Sequence, residues 1–206
     1  MGIIPKIEDM TPIKFKESFR RIIEVKEKVG LKAILDNPPD LFDRAKLYGN
    51  QYKNGSWNWA SNIWSRSAAN TVVIEDDSEL KYEHKLLLVR VLEHILAQGP
   101  LIKVDGYVGK PGTKAQMHAT VYVDPQFPDI AYRWKQLVFP APPDEKPDIE
   151  VFVIPHYLKN PNIPGTNRML MVMRFPHHNF TIITASSYQG EVKKAVLTHW
   201  IYHVYK

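Results

Sequence analysis

The second half of the chain most constrains the fold. Between residues 101 and 185 stand five short runs rich in Val, Ile, Phe and Met: LIKVDGYV (101–108), AQMHATVYV (115–123), IEVFVI (149–154), RMLMVMRF (168–175) and NFTIITA (179–185). Their length and β-branched content are those of strands buried in a sheet. In the second run, Met117, Ala119, Val121 and Val123 alternate with more polar residues, the period of a pleated strand. Helical patterns interrupt these runs: PDIAYRWKQLVF, with Pro128 in its first turn, and a last segment starting near Glu191. Strands mixed with helices argue for an α/β protein, a single domain with a mixed β-sheet flanked by helices. A chain of 206 residues with 44% hydrophobic content can bury one sizeable core.

The first hundred residues are more helical. Thr11 can cap a helix over 11–29, with Pro12 in its first turn and Phe15, Phe19, Ile22 and Ile23 on one face. LKAIL (31–35) continues the helical pattern, and DNPPD breaks it, because proline removes a backbone donor. Residues 48–65 are polar and aromatic without a clear period and read as loop; TVVIED (71–76) reads as a strand. The clearest helix spans 79–98, with Leu80, Leu87, Leu88, Val91, Leu92, Ile95 and Leu96 on its apolar side and Gly99-Pro100 as its stop.

The net charge of +5 suits an anionic partner, whether a phosphorylated metabolite, a carboxylate or nucleic acid. With no cysteine, disulfides and thiolate metal sites are excluded. The N-terminus lacks the apolar core of a signal peptide, and no apolar run approaches the roughly 20 residues that span a bilayer. A soluble cytoplasmic protein without membrane partners is the expectation.

GYVGKPGT (106–113) is not a phosphate loop: Gly106 and Gly109 stand too close together, and Pro111 after Lys110 has no N–H for a phosphate. It reads as a turn. His177 and His178, read on a strand, would face opposite ways, whereas His199 and His203 share a helix face without the glutamate of a zinc-protease pair. These histidines read as surface or core-edge residues. Trp57, Trp59, Trp64 and Arg66 in the aromatic loop could stack bases, and tryptophan is also core filler. Arg66 near a strand entrance could clamp a carboxylate or phosphate in two-point fashion.

One stretch stands apart: YQGEVKK (188–194), where a strand gives way to a helix. With the helix starting near Glu191, Lys193 and Lys194 fall in its first turn, where the helix dipole disfavours cations. An anionic ligand or a metal would explain the pair, a lysine there having a lowered pKa; a solvated Lys-Lys pair is the simpler alternative.

At these residues the sequence resembles the ATP-dependent phosphoenolpyruvate carboxykinase family. YQGEVKK matches each fixed position of the family's Tyr-x-Gly-Glu-x-Lys-Lys motif, which stands at the end of the N-terminal domain and leads into a helix. RMLMVMRFPHHNFTIITASS is similar to the two strands before that motif, and MHATVYVDPQFPDIAYRWKQLVF to the family's strand and aromatic helix. The family's Thr-Gly-Arg-Ser-Pro-Lys-Asp-Lys segment is similar to WSRSAANTVVIED, where only Arg66 and Ser67 keep its pattern. The resemblance runs from about residue 55 to the end.

The resemblance implies roles. Arg66 and Tyr188 would bind the oxaloacetate or phosphoenolpyruvate end of the site. Lys194 would be a ligand of the catalytic divalent metal, manganese or magnesium, through its neutral amine, and Lys193 would steady the transferred phosphoryl group or a carboxylate. The reaction implied is the ATP-dependent decarboxylation of oxaloacetate to phosphoenolpyruvate, a step of gluconeogenesis. In the family the nucleotide loop and the metal-binding histidine and aspartate follow this motif. Residues 1–206 are therefore expected to be the N-terminal substrate-binding domain, its partner being the C-terminal nucleotide domain. ATP and the metal are expected to belong to the full-length enzyme, with neither held stably by these residues, which alone are expected to be inactive. A basic, aromatic-rich module for nucleic acid is the competing reading, and it needs a continuous basic surface instead of a cleft.

Overall fold

Thr11 caps the first helix as its sequence position requires. Its hydroxyl accepts from the Lys14 N–H at 3.2 Å, and α1 (Pro12–Lys28) follows with proline in its first turn. The computed structural model describes residues 2–61, 70–142, 145–156, 158 and 172–205. Further elements are β1 (Ile34–Asp36), α2 (Leu41–Lys46), β2 (Asn50–Gln51), β3 (Trp57–Asn58), β4 (Thr71–Val73) and α3 (Tyr82–Ala97). The second half comprises β5 (Leu101–Val108), β6 (Met117–Val123), α4 (Pro128–Lys135), β7 (Ile149–Ile154), β8 (Val172–Phe175), β9 (Phe180–Thr184) and α5 (Gln189–Val204).

Among the described residues, seven strands form one mixed sheet in the order β1-β5-β6-β7-β9-β8-β4. The central strands β6, β7 and β9 are mutually parallel. On either side β5 and β8 run antiparallel to them, and each carries a parallel outer neighbour, β1 or β4. The carboxyl ends of β6, β7 and β9 therefore share one edge of the sheet, where ligands of open α/β sheets bind.

The two faces carry separate cores, as a buried mixed sheet demands. On one face α1 and α3 cover Phe152, Phe180 and Ile182; the Phe15 ring stacks on Phe180 at 5.5 Å and meets Phe152 edge-on at 5.2 Å. On the other, α4 and α5 cover Val121, Val151, Val153 and Ile183. A side chain such as Phe15, fully buried, contributes about 2 kcal/mol by leaving water. Lys26 ties α1 to α3: its ammonium donates to Ile95 O at 2.7 Å and Gln98 O at 2.6 Å, carbonyls at the α3 C-terminus.

Three local expectations are corrected. LKAIL is not helical: Ile34 to Asp36 form β1, paired in parallel with Leu101 to Lys103 of β5. A five-residue pattern stopped by Pro38 and Pro39 is too short to hold a helix, and pairing with the sheet outweighs propensity. The segment 48–65 is not all loop, because β2 and β3 form a small hairpin within it. His177 and His178 lie on a 3-10 turn, Pro176–His178, and not on a strand. Pro176 ends β8, and Asn179 at φ 56° closes the turn into β9. The 106–113 segment is a hairpin end, with Gly109 and Gly112 at positive φ.

Candidate functional site

β9 delivers the chain to the shared edge. Ala185 follows it in the left-handed region at φ 53°, a strained conformation for a residue with a Cβ, and its N–H donates to His156 O at 3.1 Å. Ser186 Oγ then accepts from the Tyr188 N–H at 3.2 Å, and α5 begins at Gln189.

The helix thus starts two residues before the position expected from sequence. Lys193 and Lys194 fall in the second turn, beyond the strongest reach of the helix dipole, and Glu191 occupies the third helical position. An anion at that position is favoured by the dipole. The argument from a cation misplaced in the first turn therefore does not hold; a buried carboxylate accounts for Lys194. Glu191 is only 1% exposed, and its Oε1 accepts from Lys194 Nζ at 2.6 Å. Lys194 Nζ also lies 5.7 Å from the Tyr188 ring centroid, in cation–π range.

Gly190 completes the unit. Tyr188 folds back over it, and a Cβ at position 190 would collide with the phenol ring. Tyrosine, glycine, glutamate and the second lysine of the motif are thus one packed object. From β8, Arg174 adds charge next to it: burial lowers its pKa, and the field of Glu191 opposes that shift.

Lys193 and Lys194 line a cleft of about 600 Å3, together with Gly190 and a largely apolar wall that includes Val108, Trp134, Val138 and Trp200. The Trp200 N–H donates to Ala115 O at 2.7 Å, which fixes that wall to the β5–β6 hairpin end. Apolar walls with two convergent cations suit a small, partly planar anion. Tyr188 is about half exposed and stands next to Lys194. Arg66 and Trp64 lie outside the described residues.

Trp57 and Trp59 of the aromatic segment pack against the domain, whereas Tyr48 and Tyr52 are exposed. Trp59 donates to Ala45 O at 2.7 Å, its ring lies 6.3 Å from Trp57 and 5.9 Å from Tyr132, and Arg133 sits 5.9 Å over it. His199 is buried against Thr181, with Nε2 2.8 Å from its Oγ1, and burial lowers its pKa to about 4. His203 meets Asn179 Oδ1 at 2.7 Å.

Sequence reasoning passed over two features. Glu191 as the anchor of Lys194 had a signal, the i,i+3 spacing of opposite charges on a helix. A second polar cluster, His94 with Asp124 and His156, had none, because its members are brought together only by the docking of α3 on the sheet.

The fold is a mixed α/β domain in which Lys193 and Lys194 of α5 line a cleft between α5, the end of α4 and the β5–β6 hairpin end. The family model of phosphoenolpyruvate carboxykinase, of the ATP-dependent type, matches residues 60–206, and the chain belongs to that family. No curated protein matches the chain. Membership makes the function phosphoenolpyruvate carboxykinase-related, a decarboxylating lyase in its full-length form acting on oxaloacetate or phosphoenolpyruvate, in a family that uses ATP and a divalent metal. No helix among the described residues is long and apolar enough to cross a membrane.

Proposed function

We propose that residues 1–206 act as the substrate-binding domain of an ATP-dependent phosphoenolpyruvate carboxykinase, which converts oxaloacetate and ATP to phosphoenolpyruvate, CO2 and ADP. The observation that carries the reading is the packed Tyr188–Gly190–Glu191–Lys194 unit opening on the lysine cleft. Lys193 and Lys194 neutralise the charge of a dicarboxylate or of the transferred phosphoryl group, and fixed cations in an apolar-walled cleft act more strongly than in water. Tyr188 borders the substrate end, and Arg66 supplies a two-point carboxylate contact. Glu191 is a positioning residue, which holds the Lys194 ammonium toward the cleft.

Toward a catalytic divalent metal the described residues would offer one nitrogen, Lys194 Nζ, which would first have to give up a proton and its contact with Glu191, and no cluster of three imidazole or carboxylate groups stands beside it among them. A metal there takes its other ligands from outside these residues, as does the nucleotide. When bound, it supplies charge stabilisation for an enolate and for the migrating phosphoryl group. Binding and orienting the substrate is the work of this chain.

The test has two arms. A coupled assay of oxaloacetate decarboxylation should show no ATP-dependent turnover by the 206 residues alone; turnover would sink the reading. In the full-length enzyme, Lys194→Ala should abolish turnover. The same change leaves the buried Glu191 carboxylate without its ammonium, so this domain should keep its fold by circular dichroism and lose about 2 kcal/mol in urea melting. Retained turnover in that variant would overturn the assigned role.

A further inference from the structure

We propose that His94, Asp124 and His156 form a binding site for a divalent first-row transition metal, with zinc the best match to its donors. The site lies outside the lysine cleft and does not depend on the proposed function.

Three elements meet there. His94 is in the last turn of α3, Asp124 directly follows β6, and His156 lies two residues past β7. The ligand atoms of all three lie within 4.8 Å of one another. Both imidazoles aim Nε2 at one oxygen: Asp124 Oδ2 is 2.7 Å from His94 Nε2 and 3.2 Å from His156 Nε2. The other oxygen, Oδ1, accepts from the Gln126 N–H at 2.9 Å, which fixes the carboxylate. His156 Nε2 is buried and makes no aligned hydrogen bond, even at 3.2 Å from the carboxylate. Two imidazole nitrogens converging on one buried carboxylate oxygen, one of them unsatisfied, call for a shared cation.

The environment favours that cation. Asp124 is 1% exposed, and hydrogen bonds to His94 and from the Gln126 N–H hold its carboxylate in place. The negative end of the α3 dipole points at His94. The rings of His94 and His156 lie 4.7 Å apart and tilted at 39°, with Phe127 edge-on to His156. His156 keeps 28% of its side chain exposed, although its Nε2 is buried toward Asp124. Two imidazoles and one carboxylate suit zinc or another first-row transition ion over magnesium or calcium, which prefer all-oxygen sites. Tetrahedral zinc ligands stand about 3.3 Å apart, so the His94–Asp124 contact of 2.7 Å has to open slightly.

The test uses the whole chain after chelator treatment, with Co2+ and Zn2+ as probes. One equivalent of Co2+ should bind, with the visible absorption of a four- or five-coordinate ion, and one equivalent of Zn2+ should displace it. His156→Ala, at a partly exposed position, should keep the fold by circular dichroism and weaken Co2+ binding by more than about tenfold. This variant decides the matter if His94→Ala or Asp124→Asn fails to fold. The double change His177→Ala with His203→Ala should leave binding intact. No stoichiometric Co2+ uptake by the folded chain would overturn the proposal. So would uptake that survives His156→Ala, or uptake lost with the surface histidines.

Discussion

The start of α5 and the cluster at His94 are both organised around a buried carboxylate, yet they are built by opposite routes. Glu191 takes Lys194 from three positions along its own helix, whereas Asp124 takes His94 from thirty residues away and His156 from the next parallel strand. Closing a three-residue interval costs almost no chain entropy beyond the helix itself, so the first unit travels as a short sequence motif. The second exists only after β6, β7 and α3 have docked. Both carboxylates are sealed; the local unit leaves its cation half exposed at a cleft, and the distant one leaves the His156 ring partly exposed.

Three perturbations break or sharpen that contrast. The largest effect is expected from Glu191→Ala, which removes a buried carboxylate that Lys194 and Arg174 both feel. A loss of about 3 kcal/mol in urea melting is expected. A loss below about 1 kcal/mol would show that the carboxylate does not organise the α5 start.

The pH dependence separates the two regions next. Buried His199, on α5, has its folded pKa lowered to about 4 from 6.5, so the unfolded chain binds a proton between those values that the folded chain refuses. Stability therefore falls as pH drops from about 6.5 to 4, by up to about 3 kcal/mol, and buried His84 acts in the same direction. Asp124 has a folded pKa below its ordinary 3.8, so its contribution is present above that value and is lost only at lower pH. Denaturant melts of wild type and His199→Gln across this range check the assignment. The variant should flatten the upper window and leave the part below 3.8 unchanged.

The smallest effect is expected from Gly190→Ala, which pushes the Tyr188 ring away. Tyr188 is half exposed and can swing out, so the cost is about 1 kcal/mol. In a Tyr188→Ala background that cost should vanish, since the clash has no partner; a cycle without coupling would separate the tyrosine from the motif.

Much of the architecture was legible because hydrophobic period and caps are local. Thr11 with Pro12, the apolar face of 82–97 and the runs at 101–108, 117–123, 149–154 and 180–184 all became the elements their patterns predict. The failures were of two kinds. LKAIL (31–35) read as helix, but its Ile34 and Leu35 became part of an edge strand, because pairing with β5 supplied hydrogen bonds that propensity does not see. The start of α5 was misplaced by two residues, because Tyr188 caps it by backbone geometry without a side-chain hydrogen bond. That small shift changed the electrostatic meaning of the lysines: Glu191, and not the lysine pair, sits where the helix dipole acts most strongly.

The sequence by itself determined the mixed α/β class, the order of its main elements and the family motif at 188–194, all carried by residues near one another in the chain. The tertiary structure alone decided that β6, β7 and β9 end at one edge, that Tyr188 folds over Gly190, and that His94, Asp124 and His156 converge. The physical reason is common to all three. Strand order and helix docking are set by burying both faces of one sheet, and the side chains that this brings together share no spacing along the chain.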